Sequence, residues 1–274
     1  MIPGAQWRAG ALAALRALLG AGAGALALLA GTPGRADELN VAVAANFRAP
    51  MEVLAREFER VSGHRLLAAY GSTGKFYSQI HNGAPFDILL AADARTPAQL
   101  EHEGLGQSGS RFTYAIGALV LWSARAGLVD EHGAILAADA SAAAPAKRSF
   151  DRIAMADPRL APYGAAAFQV LSKLGRYEAL RERIVQGEDI NQAYQFVATG
   201  NAPLGFVALS QVVRDGALTG GSAWIVPQEL YSPLRQDGVL LEHGRGNAAA
   251  AAFMQFLRGA WARQKIAAFG YRLD

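Results

Sequence analysis

The chain has 274 residues, no cysteine, and 26 Lys and Arg against 23 Asp and Glu, a formal net charge of +3. Without cysteine there is neither a disulfide frame nor a thiolate metal site, so stability must rest on the core alone. The cations are not clustered with interleaved aromatics, which argues against a nucleic-acid surface. The N-terminus reads as an export signal: Arg8 and Arg16 flank or precede an apolar run from Ala17 to Gly31, and Gly34-Arg35-Ala36 offers small residues for cleavage after Ala36. The competing reading, a retained membrane anchor, needs roughly 20 apolar residues, more than this run supplies. Removal of residues 1–36 takes away Arg8, Arg16 and Arg35 and no acid, leaving 238 residues that are formally neutral.

In chain order, Leu39–Ala44 predicts a strand, Ala45–Arg48 a loop, and residues 50–62 an amphipathic helix with Pro50 in its first turn. Leu66–Tyr70 predicts a second strand, Gly71–Gly74 a turn, and 75–81 a helix. Phe86–Ala91 is a third strand and 97–103 a short helix. Strand, helix, strand at this spacing predicts α/β organisation around a mostly parallel sheet, and apolar rather than alternating strands predict helices on both faces. Residues 112–116 and 118–122, parted by Gly117, read as a long strand able to pass between lobes. Ala134–Ala146 reads as a loop. Strands at 152–156 and 204–208 and helices at 163–174 and 191–199 follow, Trp224–Val226 reads as a return to the first lobe, and 248–257 and 261–269 are helical.

Open parallel sheets bind ligands at the carboxyl ends of their strands. Ala45-Asn46-Phe47, Gly71–Gly74, Asp157–Gly164 and Asp189–Asn191 all fall at such ends and open helices, so each can present free backbone N–H groups to a compact anion. From the pattern alone, Asn46 and Ser72 read either as ligand donors or as a helix cap and a turn residue. Asp189 reads as a cap, since a carboxylate beside an anion is repulsive. Lys75 reads as a solvated helix residue, and Tyr114, Tyr163 and Tyr194 as packing or site-lining residues. Gly71-Ser72-Thr73-Gly74-Lys75 is not a nucleotide phosphate loop, because Ala69 stands where its first glycine belongs and Phe76 where its hydroxyl residue belongs. The five histidines are isolated in sequence, which argues against a cation site, and Ser72 has no evident base for a hydrolase.

The stretches VAVAANF (41–47), YGSTGKFYSQIHNGAPFDILLAAD (70–93), GSRFTYAIGALVLWS (109–123), ADPRLAPYG (156–164) and GNAPLGFVALSQ (200–211) together resemble the periplasmic molybdate-binding proteins of ABC-type uptake systems. The resemblance implies the type II periplasmic binding-protein fold. That fold has two α/β lobes, each with a mostly parallel sheet flanked by helices, joined by crossover strands. The expected divisions are a signal peptide at 1–36, a first lobe from 37–115 and 226–274, and a second lobe at 116–225. The implied function is capture of molybdate or tungstate by neutral hydrogen-bond donors in the cleft, with no catalysis and no cofactor. The alternatives are another tetrahedral oxyanion, sulfate or phosphate, or an ester hydrolase using Ser72. Implied ligand contacts are Ala45, Asn46 and Ser72 from the first lobe and the backbone N–H groups of Tyr163 and Ile190 from the second. Ala208 stands where many relatives carry a tyrosine donor, so Asn46 is expected to compensate. The implied partners are an inner-membrane permease and its ATPase, served by a periplasmic monomer.

Overall fold

The structure, a computed structural model, describes residues 37–137 and 150–274. The expected signal segment and residues 138–146 of the expected loop lie outside the described residues. The first half runs β1 (Glu38–Ala44), a 3-10 turn (Ala45–Phe47), α1 (Arg48–Ser62), β2 (Arg65–Gly71), α2 (Thr73–His81), β3 (Ile88–Leu90), α3 (Arg95–His102), β4 (Phe112–Gly117) and β5 (Leu119–Ser123). Next come α4 (Ala134–Ala137), β6 (Ile153–Ala156), α5 (Pro162–Lys173), α6 (Tyr177–Leu180), β7 (Ile184–Gly187), α7 (Ile190–Ala198) and β8 (Leu204–Ala208). The chain ends with α8 (Leu209–Val212), a β9–β10 hairpin (Val213–Arg214, Ala217–Leu218), β11 (Ser222–Ile225), β12 (Leu234–Leu240), α9 (Ala248–Arg258) and α10 (Ala260–Ala268).

Two five-stranded sheets carry the architecture, ordered β2-β1-β3-β12-β4 and β11-β5-β8-β6-β7. Both sheets are mostly parallel, as expected, with one reversed strand in each: β12 in the first and β5 in the second. In the first, β1 pairs in parallel with β2 and β3 while β12 runs antiparallel to β3 and β4. In the second, β6 is parallel to β7 and β8, and β5 is antiparallel to β8 and β11.

The apolar strands are covered on both faces. Val41 and Val43 pack with Met51, Leu54, Phe58 and Phe253, whereas Ala42 between them packs with Phe76, Ile80 and Leu100. In the second sheet, Ile153 and Met155 pack with Ala167 and Val170 of α5, and Ala154 packs with Val197 of α7. Alternate residues of one strand thus serve two cores, which is why periodicity read as a continuous apolar run.

Several expected boundaries move. The loop expected at 45–48 is a helical turn running into α1, with Pro50 still within the first turn, where its missing N–H breaks no bond. α2 begins at Thr73, because Ser72 is its N-cap. Of the loop expected at 134–146, Ala134–Ala137 is a helical turn. Trp224–Val226 does not return to the first sheet: β11 is an edge strand on β5. The return is made by β12, which the sequence reading missed because LRQDGVL carries polar residues in its middle. Those residues are buried and paired: Asp237 accepts from Thr113 (2.7 Å) and Arg111 (2.8 Å), and Gln236 belongs to a network described below. The chain therefore crosses between sheets twice, at Ala118 and at 226–233. The crossings lie side by side, with Val226 N–H donating to Leu119 O (3.0 Å) and Leu119 N–H to the Tyr231 hydroxyl (3.1 Å).

Candidate functional site

The carboxyl ends of β1, β2, β3, β6 and β7 all deliver residues to one small cavity. Its wall is Ala44–Asn46 after β1, Gly71–Thr73 after β2, Ala92 after β3, Ala161–Tyr163 after β6, and Asp189 and Ile190 after β7. The cavity measures ≈ 10 Å³, room for the centre of about one water-sized sphere, so the walls are already drawn close. Ala45, Asn46, Ser72, Tyr163 and Ile190, expected from sequence to meet, all line it.

Each reaches the cavity for a local reason. Ser72 caps α2 in extended backbone but makes no side-chain cap bond, and its buried Oγ has no hydrogen-bond partner. Tyr163 follows Pro162, the first residue of α5, so its N–H lies in the first helical turn, where no intrahelical acceptor exists. Ile190 opens α7, whose N-cap Asp189 accepts from Asn191 and Gln192 N–H (both 2.9 Å) and leaves the Ile190 N–H outside the cap. Asp189 is thus a cap, as its sequence context suggested. Gly164 lets α5 sit against the end of β6: a Cβ there would lie 2.4 Å from Ala156 O and 2.7 Å from Asp157 O.

The walls carry no Lys, Arg or His. Their positive potential comes from helix N-termini, where aligned peptide dipoles and free N–H groups favour an anion. Across the cavity mouth, Gly74 N–H donates to Leu160 O (2.9 Å), and Lys75 Nζ lies 2.6 Å from Glu188 Oε1. Lys75 is therefore not a free solvated residue, a pairing that its 113-residue separation from Glu188 hides. Both side chains are about half exposed, so Lys75→Ala is expected to change ligand affinity by no more than about fivefold and to reduce its salt dependence. Titration at two ionic strengths checks this. A larger hollow of ≈ 400 Å³ flanks the cavity and is lined by charges of both signs, Asp93 with Arg95 and Arg159. Arg159 is held by Asp157 at 2.7 Å.

Behind Asn46 lies a buried polar network that the sequence reading did not find. Asn46 Nδ2 donates to Gln236 Oε1 (2.9 Å) and to the Tyr271 hydroxyl (2.8 Å). Asn46 O accepts from Ser210 Oγ and Tyr271 Oη (both 3.0 Å), Gln236 Nε2 donates to Tyr163 Oη (3.1 Å), and Tyr114 Oη lies 3.1 Å from Gln236 Oε1 and 2.8 Å from Ala91 O. The amide hydrogens that sequence assigned to the ligand are thus spent on the protein, because buried Gln236 and Tyr271 require partners. Gln236 and Tyr271 lie 190 and 225 residues from Asn46, beyond any motif. Gly117 makes room for the network, since a Cβ there would lie 2.0 Å from Tyr163 Oη. Of the other tyrosines, Tyr194 stacks on Trp122 away from the cavity, with ring centroids 5.3 Å apart. Ala208 is fully buried at the end of β8 and does not line the cavity.

Burial pushes the Tyr114 and Tyr163 hydroxyls well above the ordinary tyrosine range. Burial also pushes Tyr271 up to about 12, with hydrogen bonds from its neighbours pulling the other way. All three are neutral donors at physiological pH. The folded state holds the Tyr271 proton more tightly than the unfolded chain, whose tyrosines titrate near 10. The stabilisation it represents is complete below about pH 10 and is lost as pH rises towards about 12. Tyr271→Phe is expected to flatten that alkaline loss by about 2–3 kcal/mol, measured by urea unfolding across the range.

Among the described residues no group of three or more His, Cys, Asp or Glu is arranged to hold a metal ion. Two α/β sheets facing each other across a cavity of helix N-termini define the class: a two-lobed solute-binding architecture. A family model for bacterial extracellular solute-binding proteins matches residues 39–272, and the chain belongs to that family. It is 54% identical to the molybdate-binding protein ModA of Azotobacter vinelandii, over 94% of this chain and 98% of that one. It is 48% identical to ModA of Rhodobacter capsulatus, over 92% and 96%. The solved periplasmic molybdate-binding protein of A. vinelandii superposes with a TM-score of 0.80 at 40% identity, covering 86% of this chain and 99% of that one. The sulfate-binding protein SubI of Mycobacterium tuberculosis shares the fold at 13% identity, with a TM-score of 0.66 and 86% of each chain covered.

Proposed function

We propose that this chain is the substrate-binding component of a molybdate ABC importer and holds molybdate or tungstate between its lobes. Ala45, Asn46 and Ser72 are the contacts from the first lobe, which holds β1–β4 and β12, and the N–H groups of Tyr163 and Ile190 those from the second, which holds β5–β8 and β11. The observation that carries this reading is the buried Ser72 hydroxyl without a partner, aimed into a cavity of helix N-termini that has no cationic side chain. Buried polar atoms are almost always bonded, so an orphan of this kind in a cavity wall implies a bound acceptor. Neutral donors suit an oxyanion: each hydrogen bond to a charged group is worth roughly 1.5–3 kcal/mol, and several together overcome the cost of association.

The cycle is capture and closure. The anion docks against one lobe, the other closes over it, and the bonds between Gly74 and Leu160 and between Lys75 and Glu188 span the closed mouth. No bond in the ligand is broken. The closed form is what a membrane permease, driven by its ATPase, recognises. The protein works as a periplasmic monomer. An esterase reading needs a base beside Ser72, and Ser72 Oγ has no hydrogen-bond partner at all.

Isothermal titration with molybdate, tungstate, sulfate and phosphate tests the reading. Molybdate and tungstate are expected to bind in the micromolar range or tighter. Failure of all four to bind below about 100 μM, some 5.5 kcal/mol of binding free energy, removes it. Preferential binding of sulfate or phosphate would assign the cavity to another tetrahedral oxyanion.

A further inference from the structure

With Nδ2 turned to Gln236 and Tyr271, the Asn46 side chain has only Oδ1 left to offer the cavity it lines. An amide oxygen facing an oxyanion is repulsive, whereas the amide nitrogen would donate. The partners behind Asn46 decide which atom faces inward. We infer that oxyanion binding inverts the Asn46 and Gln236 amides together, so that Gln236 is a positioning residue that sets the donor character of Asn46. This rests on the reading of the cavity as an oxyanion site.

The network can be satisfied in both arrangements with its heavy atoms in place. In the observed one, Gln236 Oε1 accepts from Asn46 Nδ2 and Nε2 donates to Tyr163 Oη. In the inverted one, Gln236 Nε2 donates to Asn46 Oδ1 and to Tyr114 Oη, while Tyr163 donates its hydroxyl hydrogen to Gln236 Oε1. Tyr114 keeps its bond to Ala91 O at 2.8 Å, and Tyr271 turns its hydrogen to Asn46 Oδ1. Ser210 Oγ still donates to Asn46 O. Hydroxyl groups both donate and accept, so three tyrosines can follow the two amides without stranding a hydrogen. The observed arrangement leaves the second Nε2 hydrogen of Gln236 without an acceptor, and the inverted one supplies it. Inversion of Asn46 alone would set Nδ2 free but bring Oδ1 against Gln236 Oε1, two acceptors about 2.9 Å apart. The two amides are therefore obliged to turn as a pair.

The test is nitrogen-15 and proton NMR on protein labelled at asparagine, of which the chain has six, run beside calorimetric titration with molybdate. The Asn46 signal is identified by its loss in Asn46→Ser. Ligand-free protein should show a cross-peak between the Asn46 amide hydrogens and the Tyr271 ring, and saturating molybdate should abolish it while shifting the Asn46 nitrogen. Molybdate binding with that cross-peak intact overturns the inversion and leaves the binding reading standing. Absence of binding overturns both. Gln236→Glu, in its ionised form, can only accept and so holds Asn46 Nδ2 toward residue 236 and away from the cavity. It should lose about tenfold or more in molybdate affinity, roughly 1.4 kcal/mol, and keep the cross-peak at saturation. Wild-type affinity in that variant, or loss of its cross-peak on binding, overturns the proposal.

Discussion

Replacing Ser72 by alanine is expected to weaken molybdate binding by about ten- to a hundredfold and to leave thermal stability unchanged or slightly raised. The binding loss follows from removing one hydrogen bond to a charged acceptor, roughly 1.5–3 kcal/mol at 1.4 kcal/mol per decade. The stability result is the sharper half. Ser72 makes no side-chain cap bond to α2 (Thr73–His81), and its Oγ is buried without a partner, so the ligand-free protein gains nothing from the hydroxyl and bears its desolvation. A residue kept for the fold would do the opposite. Calorimetry and thermal melts of the same preparation separate the two: a fall in melting temperature with affinity intact would make Ser72 structural.

Gly164→Ala is expected to lower both affinity and stability. Alanine is a better helix former than glycine by about 1 kcal/mol, which would favour the change at an open site. Here the added Cβ meets backbone oxygens of Ala156 and Asp157 at 2.4 and 2.7 Å, atoms that cannot rotate away. Overpacking of this kind costs about 1–3 kcal/mol, enough to cancel the propensity gain and, at about 2 kcal/mol net, to lower the melting point by up to about 8 °C in a domain of this size. The relief available is for α5 (Pro162–Lys173) to back away from β6 (Ile153–Ala156), carrying the Tyr163 N–H with it. Affinity should fall about tenfold or more. A variant that melts lower yet binds normally would show that α5 moves without disturbing the cavity.

What was legible in the sequence was local. The apolar strands and the helices that follow them were readable because each is a short-range pattern, and with them the first helical turns that hold Tyr163 and Ile190. The Asp189 cap was readable for the same reason, being a relation between residues two and three apart. β12 was not, because Gln236 and Asp237 break its apolar pattern and their compensation comes from Arg111, Thr113 and Asn46 in distant segments. Asn46 was placed at the cavity, but the partners of its amide hydrogens, Gln236 and Tyr271, were not legible. The pairing of Lys75 with Glu188 was equally invisible. Each miss is a buried or cross-cleft polar contact of long sequence separation, which no spacing rule encodes. The mostly parallel sheets were legible, but the one reversed strand in each was not: the directions of β12 and β5 follow from where the chain crosses, not from their own composition.

The two adjacent crossings, at Ala118 and at 226–233, have a mechanical consequence. A single tether would let one half of the molecule swivel freely against the other. Two segments bonded side by side, Val226 to Leu119 at 3.0 Å and Leu119 to Tyr231 at 3.1 Å, would form a flat hinge, freer to bend about one axis than to twist or slip. Opening and shutting are then expected to retrace one arc. On the proposed capture cycle, Ser72 on one jaw would return to the same position opposite Tyr163 and Ile190 on the other at each stroke, so that donor alignment would be built into the joint.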